Sequence, residues 1–308
     1  MTDTTTPMSL TDDVLHRFML EKAGVRGVLV RLGASWREIA SRVEYPQALR
    51  DTLGQTVAAS ALLTGNIKFD GSLSLEFKSQ GAVRLLFSEC TDKGRLRGLA
   101  RFDEGEDSLG EAVNLGTMDD ELLAITVGSA ERGRYQGIVD LADSENIGQA
   151  LETYFLKSEQ LPTRILLAAD GERAVGLMLQ PVPGEGGHDA AEEDADAWNR
   201  VGALTATLKS AEMLATLPED LLYRLYHEET VQLYEPRHLA FGCTCSRTRV
   251  EGMLQGLGRA EVEATLDDRG GEIEVVCEFC ATRYTFDRVD AEQLLSDGDT
   301  PPTSQTLQ

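Results

Sequence analysis

The apolar positions of this chain change period several times, and the changes divide it into elements. Residues 25–32, Val-Arg-Gly-Val-Leu-Val-Arg-Leu, are rich in β-branched side chains with partial alternation and predict a strand. Residues 36–43 predict a short helix. After Pro46 a longer one runs to about residue 63, with Leu49, Leu53, Val57, Ala61 and Leu62 on one stripe. Gly54 within it is a mild objection, worth roughly 1 kcal/mol against Ala. Beyond the turn at Phe69-Asp70-Gly71-Ser72, Leu73, Leu75 and Phe77 alternate strictly. Strands are predicted over 83–90 and, after Asp92-Lys93-Gly94, over 96–102. Residues 125–127 and 135–139 predict a hairpin across Glu131-Arg132-Gly133. Residues 144–159 have helical spacing, and 164–179 fold at Asp170-Gly171 as another hairpin. Strands grouped together and flanked by helices indicate an α+β fold, with an N-terminal α/β domain of antiparallel-rich sheets over residues 1–180.

The pattern shifts at Pro181-Val182-Pro183-Gly184. Residues 184–197 hold no apolar side chain larger than Ala and read as a solvated linker. Helical spacing then returns: Val201, Leu204, Leu208, Ala211 and Leu214 form one stripe, and Pro218 opens a second helix carrying Leu221, Leu222, Leu225 and Tyr226. Residues 181–235 carry 12 acidic and 3 basic side chains. Helices this short and this charged need a docking partner to stay folded, so the segment is expected to be a metastable helical linker. Residues 236–296 form a small C-terminal domain. Val250, Met253, Leu254 and Leu257 are helically spaced, Val262 and Leu266 suggest another short helix, and 273–276 pairs with Tyr284 and Phe286 as a hairpin. Residues 297–308 read as a disordered tail.

Composition narrows the function. The chain has 308 residues, 42% hydrophobic, and a formal net charge of −23. A core is supported, while so acidic a surface repels phosphate backbones and anionic membranes. No nucleic-acid or membrane partner is expected. The N-terminus lacks a secretory pattern, and the longest uncharged run, 52–67, is too short and polar to span a bilayer, so the expected location is cytoplasmic.

The densest chemistry is a set of four cysteines, Cys243-Thr-Cys245 and Cys277-Glu-Phe-Cys280, with 31 residues between the pairs. In a reducing compartment such a set points to metal or redox chemistry before a permanent disulfide. Four thiolates complete a tetrahedral zinc site, and structural zinc contributes on the order of 10–16 kcal/mol to folding a small unit. One reading is a structural zinc ribbon that docks a partner. Its nucleic-acid form is disfavoured, because residues 236–308 carry 13 acidic and 7 basic side chains. The other is a redox switch: metal-held thiolates remain nucleophiles toward peroxide, each has a neighbouring cysteine to resolve a sulfenic acid, and a disulfide cannot ligate zinc as a thiolate does.

Phe241-Gly-Cys243-Thr-Cys245-Ser246-Arg247 and Cys277-Glu-Phe-Cys280, with Tyr284 and Phe286, resemble the redox-regulated 33 kDa heat-shock chaperone family of bacteria. Residues 75–78, 84–90, 218–229 and 234–236 extend the resemblance over nearly the whole chain. Thr248 stands where an acidic residue is expected, outside the ligand set, and the 184–197 stretch is long and acidic. The resemblance implies a non-enzymatic, ATP-independent holdase. Reduced, it is a monomer with one zinc ion on Cys243, Cys245, Cys277 and Cys280. Oxidised, it pairs Cys243 with Cys245 and Cys277 with Cys280, loses zinc, unfolds sensor and linker, dimerises and captures unfolding client proteins.

The remaining candidates carry less. Cys90 ends a strand without a second cysteine nearby and reads as a buried thiol. His238 precedes the cluster but is not needed to complete it. The acidic run 192–196 lacks the spacing of a calcium loop, and no glycine pattern forms a phosphate-binding fingerprint. A thiol-disulfide oxidoreductase built on Cys277-Glu-Phe-Cys280 is the weakest alternative, since that motif usually opens a helix and here lies between two predicted strands.

Overall fold

In the computed structural model, residues 12–103, 122–129, 133–139, 141, 144–182 and 196–297 are described. The chain forms two compact units, one running to Gly242 and the other starting at Cys243.

The first unit contains β1 (Val14–Leu20), β2 (Val25–Leu32), α1 (Ala34–Ala40), α2 (Gln47–Asn66), β3 (Gly71–Lys78), β4 (Val83–Thr91), β5 (Arg95–Phe102), β6 (Leu122–Ser129) and β7 (Gly133–Val139). It continues through α3 (Ile147–Ser158), β8 (Arg164–Ala169), β9 (Ala174–Pro181), α4 (Ala197–Ala206), α5 (Ser210–Ala215), α6 (Pro218–Tyr226), β10 (Val231–Leu233), β11 (Arg237–His238) and β12 (Ala240–Phe241). One sheet has the order β10-β1-β2-β9-β8, with β11 also pairing β1. The other has the order β12-β5-β4-β3-β6-β7. Every pairing is antiparallel except β12 on β5. The structure is thus α+β with antiparallel-rich sheets, as the sequence indicates. The acidic stretch 184–197, apart from its last two residues, and the tail beyond 297 lie outside the described residues, as does most of the turn at 131–133.

Helix α2 packs against strands of both sheets. The sequence predicts a single apolar stripe, yet every residue from 56 to 64 is buried, because the helix has a sheet on two sides and no solvent face there. The polar members satisfy themselves along the helix: Thr56 donates to the Thr52 carbonyl at 2.8 Å and Thr64 to that of Ser60 at 2.7 Å. Gly54 has a packing reason, since a Cβ there would lie 2.6 Å from that of Ala169.

The other face of the first sheet is covered by α4–α6. Val201, Leu208, Met213, Leu221, Leu222 and Tyr226 pack on Phe18, Leu20, Val25, Leu29, Val175 and Leu177. With α2 on one face and these helices on the other, β9 is buried along almost its whole length. The stripe predicted over 201–214 is two helices, broken at 207–209, so Ala211 faces solvent and Met213 takes its place in the core. Pro218 does open α6, where its missing N–H loses no bond.

Three polar ties fix this layer. Arg200 grips the buried Glu229 carboxylate at 2.7 and 3.1 Å. Thr205 Oγ1 and the Tyr226 hydroxyl lie 2.7 Å apart in the core. Buried Arg31 pairs with Asp12 at 2.6 Å and donates to the carbonyls ending α5.

The second unit comprises α7 (Arg247–Leu257), α8 (Arg259–Asp268), the hairpin β13 (Glu272–Val276) with β14 (Arg283–Asp287), and α9 (Arg288–Asp297), a helix not foreseen from sequence. Among the described residues its core is six buried side chains: Leu254, Val262, Leu266, Ile273, Phe286 and Ala291.

Candidate metal centre

Two short backbone devices present the four sulfurs. Cys243 and Cys245 precede α7, whose N-cap Ser246 accepts the Arg249 N–H at 3.2 Å; the Cys245 N–H in turn donates to Cys243 Sγ at 3.4 Å. Cys277 and Cys280 occupy the turn joining β13 to β14. There the Cys277 N–H reaches the Thr282 carbonyl at 2.9 Å, the Ala281 N–H reaches the Cys277 carbonyl at 2.8 Å, and Ala281 takes a left-handed φ of 57°. Arg247 braces the two halves. Its guanidinium lies 4.3 Å from the Phe286 ring centroid and donates to the Thr285 carbonyl at 3.0 Å and to Asp290 at 2.9 Å.

The four Sγ atoms lie within 4.8 Å of one another and are half-buried. The nearest neighbours run across the motifs: Cys243 to Cys277 at 3.6 Å and Cys245 to Cys280 at 3.3 Å. Zn–S bonds of about 2.3 Å at tetrahedral corners put sulfurs about 3.8 Å apart. The donor set and its spacing therefore fit a tetrahedral thiophilic cation such as zinc. They do not by themselves select a disulfide pairing, because all four sulfurs are mutual neighbours.

The thiols are not equivalent. Burial, offset in part by the Tyr284 hydroxyl donating to Cys245 Sγ at 3.1 Å, leaves Cys245 pushed up to about 12. Burial likewise raises Cys277. Cys280 is also opposed by burial, but the adjacent Thr282 hydroxyl, 3.1 Å away, and the Thr282 backbone pull it down to about 6. The phenol of Tyr284 is itself held up to about 12 by its bond to Cys245. Tyr284 and Thr282 are the functional neighbours that sequence reasoning missed as such. Alternation places Tyr284 in a strand, but nothing local says its hydroxyl reaches a sulfur 39 positions earlier.

Among the described residues, these four cysteines are the sole group of three or more His, Cys, Asp or Glu side chains with metal-ligand spacing. His238 sits in β11, paired with Val14. Cys90 is 0% exposed in the main core, and burial pushes its thiol up to about 11, which fits the reading of an inert buried thiol. Also among the described residues, no helix is long and apolar enough to cross a membrane.

The profile of the family described as "Hsp33 protein" matches residues 13–287. The chain is 44% identical to a 33 kDa chaperonin of Nitrosococcus oceani, covering 96% of this chain and 98% of that one. It is 42% identical to the 33 kDa chaperonin of Pseudomonas syringae pv. tomato, over 96% of this chain and 97% of the relative. In fold it is similar to the crystal structure of the 33 kDa chaperonin of Thermotoga maritima, with a TM-score of 0.76 at 21% identity, covering 92% of this chain and 98% of that one.

Proposed function

The chain belongs to the Hsp33 protein family, whose members are chaperones and not enzymes, and on that basis we propose that it is a redox-regulated, ATP-independent holdase of the cytoplasm. The observation that carries the proposal is the cluster of four sulfurs within 4.8 Å in a unit whose core, among the described residues, is six buried side chains. So small a core needs a staple. In the reduced protein Cys243, Cys245, Cys277 and Cys280 hold one zinc ion, which keeps the four sulfurs together as thiolates and joins the α7 side of the unit to the β13–β14 turn.

A peroxide-class oxidant converts one thiol of a pair to a sulfenic acid and is itself reduced, releasing water. The second sulfur attacks the first, an S–S bond forms and a second water leaves. Each disulfide thus removes two electrons from the protein. The family resemblance assigns the pairs as Cys243–Cys245 and Cys277–Cys280. With both formed, no thiolate remains to ligate, and the second unit loses its staple.

Residues 181–235 are the metastable linker in this scheme. Their helices are short, and their apolar sides are buried against the first sheet. Release exposes Val201, Leu208, Met213, Leu221, Leu222 and Tyr226 together with the sheet surface beneath them, an apolar patch suited to unfolding client proteins. The reduced protein is a monomer and the oxidised one a homodimer. The net charge of −23 keeps client complexes soluble and disfavours nucleic acid and membranes.

The deciding experiment treats the zinc-loaded protein with peroxide and follows zinc release, far-UV circular dichroism and aggregation of a thermally unfolding client. Zinc loss, helix loss and client protection arise together and reverse on reduction. Zinc loss without client protection would leave a structural adaptor instead, and catalytic turnover of a small dithiol would indicate an oxidoreductase.

A further inference from the structure

For a chain of net charge −23, one cavity of the first unit is unexpectedly cationic. Arg17 of β1, Lys68 just past α2 and Arg237 of β11 line a space of about 460 Å³, with Asp92 as its acidic residue. Among the described residues, none of the three cations has a carboxylate partner. An adjoining space of about 340 Å³ shares Arg17 and Asn66 and adds Arg26, whose Nη2 donates to Gln180 at 2.8 Å. Volumes of this size suit a small ligand.

Arg237 is the informative residue. Its Nη1 donates to the Asp92 carbonyl at 3.3 Å. Its Nε and Nη2 are buried without a hydrogen-bond partner. Those two N–H groups form the edge by which a guanidinium grips an oxyanion through two parallel bonds. Donors shielded from water and left unmet are unfavourable, so an anion in the cavity that Arg237 already lines would favour a turn of the side chain that presents this edge to it. Cations near the last turn of α2 also offset its unpaired carbonyls. That accounts for Lys68, but not for an unused guanidinium edge on a different element.

We infer that this cavity is a binding site for a phosphate-class oxyanion, gripped by the Nε–Nη2 edge of Arg237 and neutralised by Arg17 and Lys68. The absence of a glycine-rich phosphate loop does not bear on it, because such a loop binds through backbone N–H groups whereas here arginine side chains supply the donors. The inference is independent of the cysteine chemistry.

The test is calorimetric titration of the reduced, full-length protein with inorganic phosphate and pyrophosphate, against sodium chloride at matched ionic strength. Saturable binding of one pyrophosphate per chain is expected, weakened about tenfold or more in Arg237→Gln and unchanged in Lys22→Gln. Pyrophosphate should also raise the melting temperature of the wild type and not of Arg237→Gln. Should Arg237→Gln lose its native circular dichroism, Arg17→Gln carries the test, since the Arg17 side chain makes no hydrogen bond among the described residues. Binding no tighter than chloride overturns the site, and so does wild-type affinity in a folded Arg237→Gln or Arg17→Gln protein.

Discussion

Arg31 of β2 donates through Nη1 to the carbonyl oxygen of Thr216, 2.9 Å away at the end of α5. The same guanidinium reaches the Met213 carbonyl at 3.4 Å and pairs with Asp12 at 2.6 Å, with both side chains nearly buried. One sheet residue therefore holds the C-terminal carbonyls of α5 and is charge-balanced by Asp12. Arg31→Ala leaves the Asp12 carboxylate to Arg173, 3.5 Å away, and leaves the carbonyls ending α5 without their donor, at a cost of about 1–3 kcal/mol. The variant is expected to protect a thermally unfolding client without oxidant. Light scattering of the reduced, zinc-loaded variant checks this, and client aggregation as fast as with the reduced wild type would refute it.

Tyr226 seats α6 in the same layer. Its hydroxyl meets Thr205 Oγ1 at 2.7 Å, and its ring stacks 6.4 Å from that of Phe18. Tyr226→Phe loses the hydrogen bond alone, while Thr205 keeps its bond to the Val201 carbonyl at 2.6 Å; a loss of about 1 kcal/mol is expected. Tyr226→Ala empties the pocket and costs about 3–5 kcal/mol. Urea denaturation followed by circular dichroism should rank wild type, Phe and Ala in that order of stability. Equal midpoints for Phe and Ala would mean that the ring does not anchor the helix.

The metal prediction separates the two units. Chelation of zinc under reducing conditions, or Cys277→Ser, should collapse amide protection over 247–297, where the core is six side chains, and leave α2 and the strands around it protected. Hydrogen exchange by mass spectrometry reads both regions at once. Unchanged zinc content in Cys277→Ser would remove that residue from the ligand set.

His16 should lend the packing of α6 on the first sheet a pH dependence. It is 5% exposed on β1, opposite Leu29, and its Nδ1 is buried without a partner. Burial lowers its pKa below the ordinary 6.5, against the raising influence of Glu219 at the start of α6. A released linker exposes the imidazole and restores its ordinary pKa. The released state therefore takes up a proton as pH falls through about 6.5, while the docked state does so only at lower pH. Docking is at full strength above that range and weakens as pH drops through it. Thermal melts between pH 7.5 and 5.5 should show a falling midpoint for wild type and a flatter profile for His16→Leu. Parallel profiles would exclude His16 as the source.

The elements legible in the sequence were those whose burial pattern is local. The strict alternation of Leu73, Leu75 and Phe77 marks a strand with one inward face, and that is β3. Pro218 marks a helix start by its own stereochemistry. The four cysteines stand out because residue type and spacing are local signals, and the fold brings their sulfurs within 4.8 Å of one another. Other features depended on tertiary context. Helix α2 showed one stripe, because a sequence does not reveal that a second sheet will cover the far side. Strands β10, β11 and β12 are two or three residues long, too short for a period to register. Nothing in the partial alternation of residues 25–32 sets Arg31 apart, and its burial follows from carbonyls nearly two hundred positions away.

The short strand β12 ends in a bond from the Gly242 N–H to the Leu96 carbonyl at 2.9 Å, and the next residue is the first cysteine of the cluster. Where most connections between elements have several residues to absorb motion, here the last ladder bond and the first sulfur are adjacent. In the proposed switch, a loss of order at Cys243 therefore meets no intervening loop before β12, and the number of residues between that bond and Cys243 is a setting for how directly the loss of zinc is passed to β12.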